Sequence, residues 1–255
     1  MIASLPMYDR PETAGATDRL WAAIRDRMRT AGLTAPETLT RGESDLWRDW
    51  TSPDLVLSQT CGYPFRSRLH GTVTLIGTPD FGIDGCAPGF YRSVFVARRS
   101  DPRETLAQFE GAPFAWNEDL SQSGWAAPRT HFDRAGLRLA PALRSGGHRL
   151  SALAVAEGRA DFAALDAVTW QLLERWDPVA LHLRVIDRTD PTPGLPYISA
   201  PGRDGAIAFA LIAEAIRTLN EEDRQTLGLR GIVRIPAEAY LAVPTPDAPV
   251  ISPVA

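Results

Sequence analysis

Gly158-Arg159-Ala160-Asp161-Phe162-Ala163-Ala164-Leu165-Asp166 ends one element and starts another. Upstream of it, Leu150, Leu153, Ala154 and Ala156 recur at helical spacing on a helix that begins at His148 and stops at Gly158, a glycine of the kind that terminates helices. Downstream, Asp161-Phe162-Ala163-Ala164-Leu165 reads as a short buried strand that delivers Asp166 to its C-terminal end. Ligands collect at that end of the strands in open α/β sheets. Helix, tight turn, strand and polar tip make one crossover unit, and the sequence predicts an α/β fold around it.

A second strand-to-helix junction precedes this unit. The apolar run Ala112 to Trp116 is followed by Glu118-Asp119-Leu120-Ser121-Gln122-Ser123-Gly124-Trp125, and the residues from Trp125 onward suit a helix. The first amides of a helix have no intrahelical acceptor and the helix dipole is positive there, so the junction suits an anion. Serine hydroxyls at the cap extend the donor cluster, and Gly124 permits close approach to the backbone. Taken alone, the same serines read more readily as an ordinary N-cap, and the rest of the pattern changes that balance.

In combination these segments resemble the substrate-binding proteins of phosphate, phosphite and phosphonate ABC transporters. The matching motifs are Ser121-Gln122-Ser123-Gly124, then Gly147-His148 opening a helix, then Val155-Ala156-Glu157-Gly158-Arg159-Ala160-Asp161-Phe162-Ala163-Ala164-Leu165-Asp166. Phe90-Tyr91-Arg92-Ser93-Val94-Phe95-Val96-Ala97-Arg98 is similar to the family's long crossing strand, and Pro193-Gly194-Leu195-Pro196-Tyr197-Ile198 to the returning one. Gln122 stands where the family usually has threonine or a similar small residue. Ser58-Gln59-Thr60-Cys61-Gly62-Tyr63 also differs from the usual first-lobe loop, which leaves the ligand's identity open.

The resemblance implies a two-lobed periplasmic-binding-protein-like fold, with a ligand cleft between lobes joined by two crossover strands. The expected lobes are 1–95 with 192–255, and 96–191. It further implies that Ser121, Gln122, Ser123 and Gly124 hold an oxyanion, with the Ser123, Gly124 and Trp125 amides as donors, and that His148 donates to another ligand oxygen. Asp166 would accept from a protonated oxygen or an amine, Tyr91 would face the ligand from the crossing strand, and Tyr8, Gln59, Thr60 and Tyr63 would contribute from the first lobe. Local chemistry keeps a competing reading for two of these: a histidine at a helix start is often a cap, and Asp166 suits capping of the helix that follows.

Along the rest of the chain, Leu20, Trp21, Ile24 and Met28 predict an amphipathic helix between Pro11 and Gly32. Further helices are expected at 46–50, 168–176 and 205–219, a short turn or helix at 236–240, and strands at 54–58, 73–77 and 181–186. The segment after Val243 is rich in proline, a composition that predicts weak order.

Composition narrows the function. The 255 residues, 44% of them hydrophobic, suffice for a full core. A net charge of −4 gives no support to nucleic-acid or anionic-membrane binding. All 27 basic residues are arginine, which removes Schiff-base chemistry, a pyridoxal phosphate lysine and a Walker-type loop together. No run approaches the roughly 20 apolar residues of a membrane span, so no membrane insertion is expected. His70, His131 and His182 are scattered and form no metal motif. No cofactor is expected, and the partners anticipated are the small oxyanion and an ABC permease or sensor protein, with the chain itself a monomer.

Met1-Ile2-Ala3-Ser4-Leu5-Pro6-Met7-Tyr8 reads directly as a first strand, without an export signal. The chain as written is therefore expected in the cytoplasm, and in the periplasm if a signal is missing from it. Cys61 and Cys86 would close a loop of about 25 residues worth roughly 3 kcal/mol, or remain two thiols. A second function stays open: a cytosolic enzyme on the same two-lobed scaffold acting on a small anionic metabolite. Ser123, His148 and Asp166 could in principle form a nucleophile, base and orienting acid, but Ser-x-Ser-Gly is no nucleophile elbow and the serines are better explained as anion donors.

Overall fold

The computed structural model describes residues 1–42 and 45–250. The chain forms two α/β units, one of Met1–Phe90 with Pro193–Ala242, the other of Tyr91–Thr192 with Val243–Ala255. The chain passes between them in the short strands Phe90–Tyr91 and Thr192–Pro193, and a third time after Ala242. The first division falls at 90/91 and not at 95/96, because Ser93–Arg98 is hydrogen-bonded on both sides to strands of the second unit. The expected first lobe, 1–95 with 192–255, also differs at its end: the described residues from Val243 group with the second unit, and residues 251–255 lie outside the described residues.

The first unit is a five-stranded sheet in the order Ile2–Ser4, Leu55–Gln59, Tyr197–Ser199, Thr74–Asp80, Gly231–Val233. Ile2–Ser4 and Leu55–Gln59 are parallel, whereas Tyr197–Ser199 runs antiparallel between its two neighbours. Leu20, Trp21, Ile24 and Met28 of the helix Ala14–Thr30 are buried with Ile212, Ala215 and Ile216 of the helix Gly205–Thr218 and with Ala3, Leu57 and Ile76 of the sheet. A second cluster joins Trp50, Leu55, Phe65, Leu69, Ile198 and Tyr240. Every residue of Leu55–Gln59 is buried. A continuous apolar run covered on both faces is what a central strand requires.

One helix here was not read from sequence. Glu221–Leu227 begins at Asn220, whose side chain accepts from the Asp223 amide, and carries Glu221, Glu222 and Asp223 in its first turn. These acids complement the helix dipole. Its tie to the long helix is the fork from Arg19 to Asp223, at 2.8 and 2.5 Å.

The second unit is also a five-stranded sheet, ordered Ala140–Arg144, Pro113–Trp116, Phe162–Asp166, Ser93–Arg98, Leu183–Arg188. The first three strands are parallel and Ser93–Arg98 is antiparallel to both its neighbours. The helix His148–Ala156 buries Ser151, Ala152, Ala154 and Val155, and Gly158 takes φ +77°, a left-handed conformation that favours glycine. The centre of the unit is aromatic. Phe162 is fully buried, and its ring lies 5.0 Å from Phe114, 5.3 Å from Phe109, 5.8 Å from Phe132 and 6.4 Å from Phe95.

The proline-rich segment, expected to be weakly ordered, is described as far as residue 250. It lies with the second unit, where the Trp125 indole N–H donates to the Asp247 carbonyl at 2.8 Å. Residues 251–255 lie outside the described residues.

Phe162 anchors the strand that ends in Asp166. Phe162→Ala removes the shared partner of four rings, and its expected cost is about 3–5 kcal/mol. Urea denaturation followed by circular dichroism checks this, and a loss below about 1 kcal/mol would contradict the packing described.

Candidate functional site

The sequence-predicted residues of the second unit come together at the C-terminal ends of its parallel strands. Pro113–Trp116 leads through Asn117–Leu120 to Ser121, which caps a turn over Gln122–Ala126 that continues as the α-helix Ala127–Arg134. This turn is wound wider than an α-helix: the Trp125 and Ala126 amides both donate to the Ser121 carbonyl, at 3.2 and 3.0 Å. Single wide turns of this kind concentrate at functional sites.

The geometry corrects the donor set. The Gly124 amide donates to Ser121 Oγ at 2.9 Å, and the Trp125 amide is used as described. Of the three amides expected to meet an anion, Ser123's is the one the turn does not consume among the described residues. The reason for Gly124 also changes. A Cβ there would lie 1.7 Å from Asn117 Oδ1 and 3.2 Å from Ser121 Oγ, so any side chain at this position must displace the Asn117 amide. Asn117 was missed in the sequence because nothing in its local spacing shows that its side chain folds over the turn.

Ser123 Oγ lies 2.9 Å from Nε2 of His148, the first residue of the helix His148–Ala156. That helix is set by Ser145, whose hydroxyl is 2.6 Å from Ser151 Oγ and 3.0 Å from the Gly147 carbonyl. Part of His148 reaches solvent, but its imidazole sits among protein atoms, and this burial holds its pKa down to about 4. The Ala164 carbonyl opposes the shift more weakly. The ring is therefore neutral at pH 7, with one nitrogen to donate and one to accept.

Asp166 ends its strand and caps the helix Ala167–Trp176, with Oδ1 accepting from Val168 N at 2.7 Å and Thr169 N at 3.1 Å. The capping reading is thus the one the structure displays for that oxygen. The influences that set the His148 pKa are burial and the Ala164 carbonyl. Directly across the antiparallel ladder from Asp166 lies Ser93, buried, with an Oγ that has no hydrogen-bond partner among the described residues. Ser93 too was passed over in the sequence, since its pairing with Asp166 is a matter of register between distant strands. Tyr91 and Gln122 are buried in the same unit.

The remaining predicted residues belong to the first unit. Tyr8 packs edge-on against Phe81 at 4.9 Å. Gln59 donates through Nε2 to the Leu195 carbonyl at 3.1 Å, and the Thr60 amide donates to the Pro196 carbonyl at 3.1 Å. Tyr63 is buried beneath the Arg66 guanidinium, 4.5 Å from its ring centre. Gln59 and Thr60 thus have structural duties that their place at a strand tip did not reveal. Cys61 and Cys86, both half-buried, are not joined in a disulfide.

The profile of the family described as "ABC transporter, phosphonate, periplasmic substrate-binding protein" matches residues 54–239, well over half of the chain. The chain belongs to this family. Solved structures with the same fold include a Prochlorococcus marinus protein in complex with methylphosphonate, at 15% identity and a TM-score of 0.71, covering 94% of each chain. A Xanthomonas citri protein bound to ATP has 19% identity and a TM-score of 0.67, covering 95% of this chain and 97% of its own. The binding-protein component of a Pseudomonas aeruginosa ABC phosphonate transporter has 17% identity and a TM-score of 0.61, covering 91% and 80%. No curated protein matches the chain.

Members of this periplasmic family are transport binding proteins with a small ligand and a permease partner. No helix among the described residues is long and apolar enough to cross a membrane.

The neutral His148 gives this family member a pH signature. Its pKa is lower in the fold than in the unfolded chain, so between about 6.5 and 4 the unfolded chain binds the proton more readily, and stability falls as pH drops through that window and levels off below it. NMR titration of the ligand-free protein should show the His148 ring protonating near pH 4; protonation near 6.5 would overturn the burial argument.

Proposed function

We propose that this protein binds a small phosphorus oxyanion, a phosphonate, phosphite or phosphate, at the turn Gln122–Ala126 and delivers it to an ABC permease. The observation that carries the reading is the Ser123–His148 pair at 2.9 Å, set on a capped helix start at the end of parallel strands. A hydroxyl, the Ser123 amide and a neutral imidazole supply donors to anionic oxygens without a formal positive charge. The reading takes further support from the family match and from the methylphosphonate bound by the Prochlorococcus marinus relative.

Binding here needs no covalent step. Ser123 Oγ and its amide take one ligand oxygen, and His148, with its proton on Nε2, exchanges its 2.9 Å contact to Ser123 Oγ for a second ligand oxygen. Burial keeps the ring from competing for protons with the ligand. Asp166 sets the charge the site accepts. Its carboxylate beside a doubly ionised oxyanion is repulsive, whereas a monoanion brings the intervening proton with it.

Calorimetry against phosphate, phosphite, methylphosphonate, aminoethylphosphonate and sulfate tests the assignment. The wild-type chain should bind at least one of them, and Ser123→Ala should weaken that binding by about tenfold or more, the worth of a charge-assisted hydrogen bond. Absence of binding to all five would overturn the proposal.

Asp166→Asn keeps a good helix cap and so leaves the fold in place. It should weaken binding of the monoanion and flatten the loss of affinity as pH rises through the ligand's second ionisation. Identical pH profiles for the two proteins would assign Asp166 to the cap alone.

A further inference from the structure

We infer that Ser93 is a further ligand-contact residue, whose hydroxyl pairs with the proton-bearing oxygen of the oxyanion beside Asp166; this rests on the oxyanion reading and deepens it. Ser93 opens the strand Ser93–Arg98 and stands directly opposite Asp166 in the antiparallel pairing with Phe162–Asp166. Residues directly opposite in such a pair share one face of the sheet, with their Cβ atoms roughly 5 Å apart. The backbone of Ser93 is fully engaged: its N–H donates to Thr189 Oγ1 at 3.0 Å and its carbonyl accepts from the Thr189 amide at 3.0 Å.

The side chain is the exception. Ser93 is 1% exposed, yet its Oγ has no hydrogen-bond partner among the described residues. A buried hydroxyl without a partner carries its desolvation cost uncompensated, and folded proteins keep few such groups. An alanine would fill the same space without that cost. The cost is recovered if a ligand supplies the missing partner, and the place where the hydroxyl waits is the strand tip that presents Asp166.

The chemistry of the pair indicates what it reads. A carboxylate only accepts, and a serine hydroxyl can accept while it donates. Side by side they suit an oxygen that carries a proton, the P–OH of a monoanionic phosphonate or phosphite. Ser123 and His148 suit the ionised oxygens instead. Donors for the ionised oxygens and acceptors for the protonated one together select a monoanion.

Ser93→Ala separates a binding role from a structural one. The melting temperature of the ligand-free protein should stay level or rise, because a hydroxyl without a partner is removed. Calorimetry with methylphosphonate below its second ionisation should show affinity falling about three- to tenfold, the worth of one neutral hydrogen bond. In the background of Asp166→Asn the further loss should be smaller than in the wild type, since both groups address one ligand proton. A lowered melting temperature with unchanged affinity would make Ser93 structural and overturn the inference alone. A wild-type protein that binds none of the five oxyanions overturns the oxyanion reading and this inference with it.

Discussion

The packing of Phe162 against four other rings governs much of what the second unit can do. It fixes the strand Phe162–Asp166 between two neighbours of opposite direction, Pro113–Trp116 and Ser93–Arg98. Three consequences follow from that one strand: the Ala164 carbonyl is set against the His148 imidazole, Asp166 is delivered to the start of a helix, and Ser93 is aligned across from it. Interiors pack as densely as organic crystals, so a displaced ring there is felt at the strand tip and is not absorbed on the way.

The turn Gln122–Ala126 and the neutral His148 beside it carry no formal positive charge, although the chain has 27 arginines. Many of those arginines are committed to carboxylates. Arg103 joins Asp101 and Asp161, Arg149 joins Asp177, and Arg144 joins Glu118 and Asp119 beside the turn itself. In the first of these clusters the Arg103 guanidinium holds the Asp101 carboxyl down at about 2. Fixed dipoles in place of a mobile cation give directional donors whose positions are set before the ligand arrives.

The fold and half of the site were legible in the sequence for a physical reason. A parallel strand buried on both faces is written as a continuous apolar run, and its polar tip and the capping residue of the next helix follow in order, as in Phe162-Ala163-Ala164-Leu165-Asp166. Ser121, Ser123, His148 and Asp166 lie on such junctions and were found from local pattern and family resemblance together. Ser93 and Asn117 act through partners distant in sequence or through the direction of one side chain, and neither leaves a periodic trace. The same limit explains Gly124. Glycine at a helix start suggested room for a ligand, whereas the space is taken by Asn117 Oδ1. The helix Glu221–Leu227 escaped because little of it is buried, so its acidic first turn was its main signature.

The hydrogen bond from Trp125 to residue 247 ends on a main-chain carbonyl. Every amino acid offers that acceptor, so substitution at 247 preserves it and no compensating change at 125 is called for. What the bond constrains is spacing: Pro244, Pro246 and Pro249 restrict the backbone to extended shapes, and one residue inserted or removed between Ala242 and Asp247 moves the carbonyl by more than 3 Å along the chain.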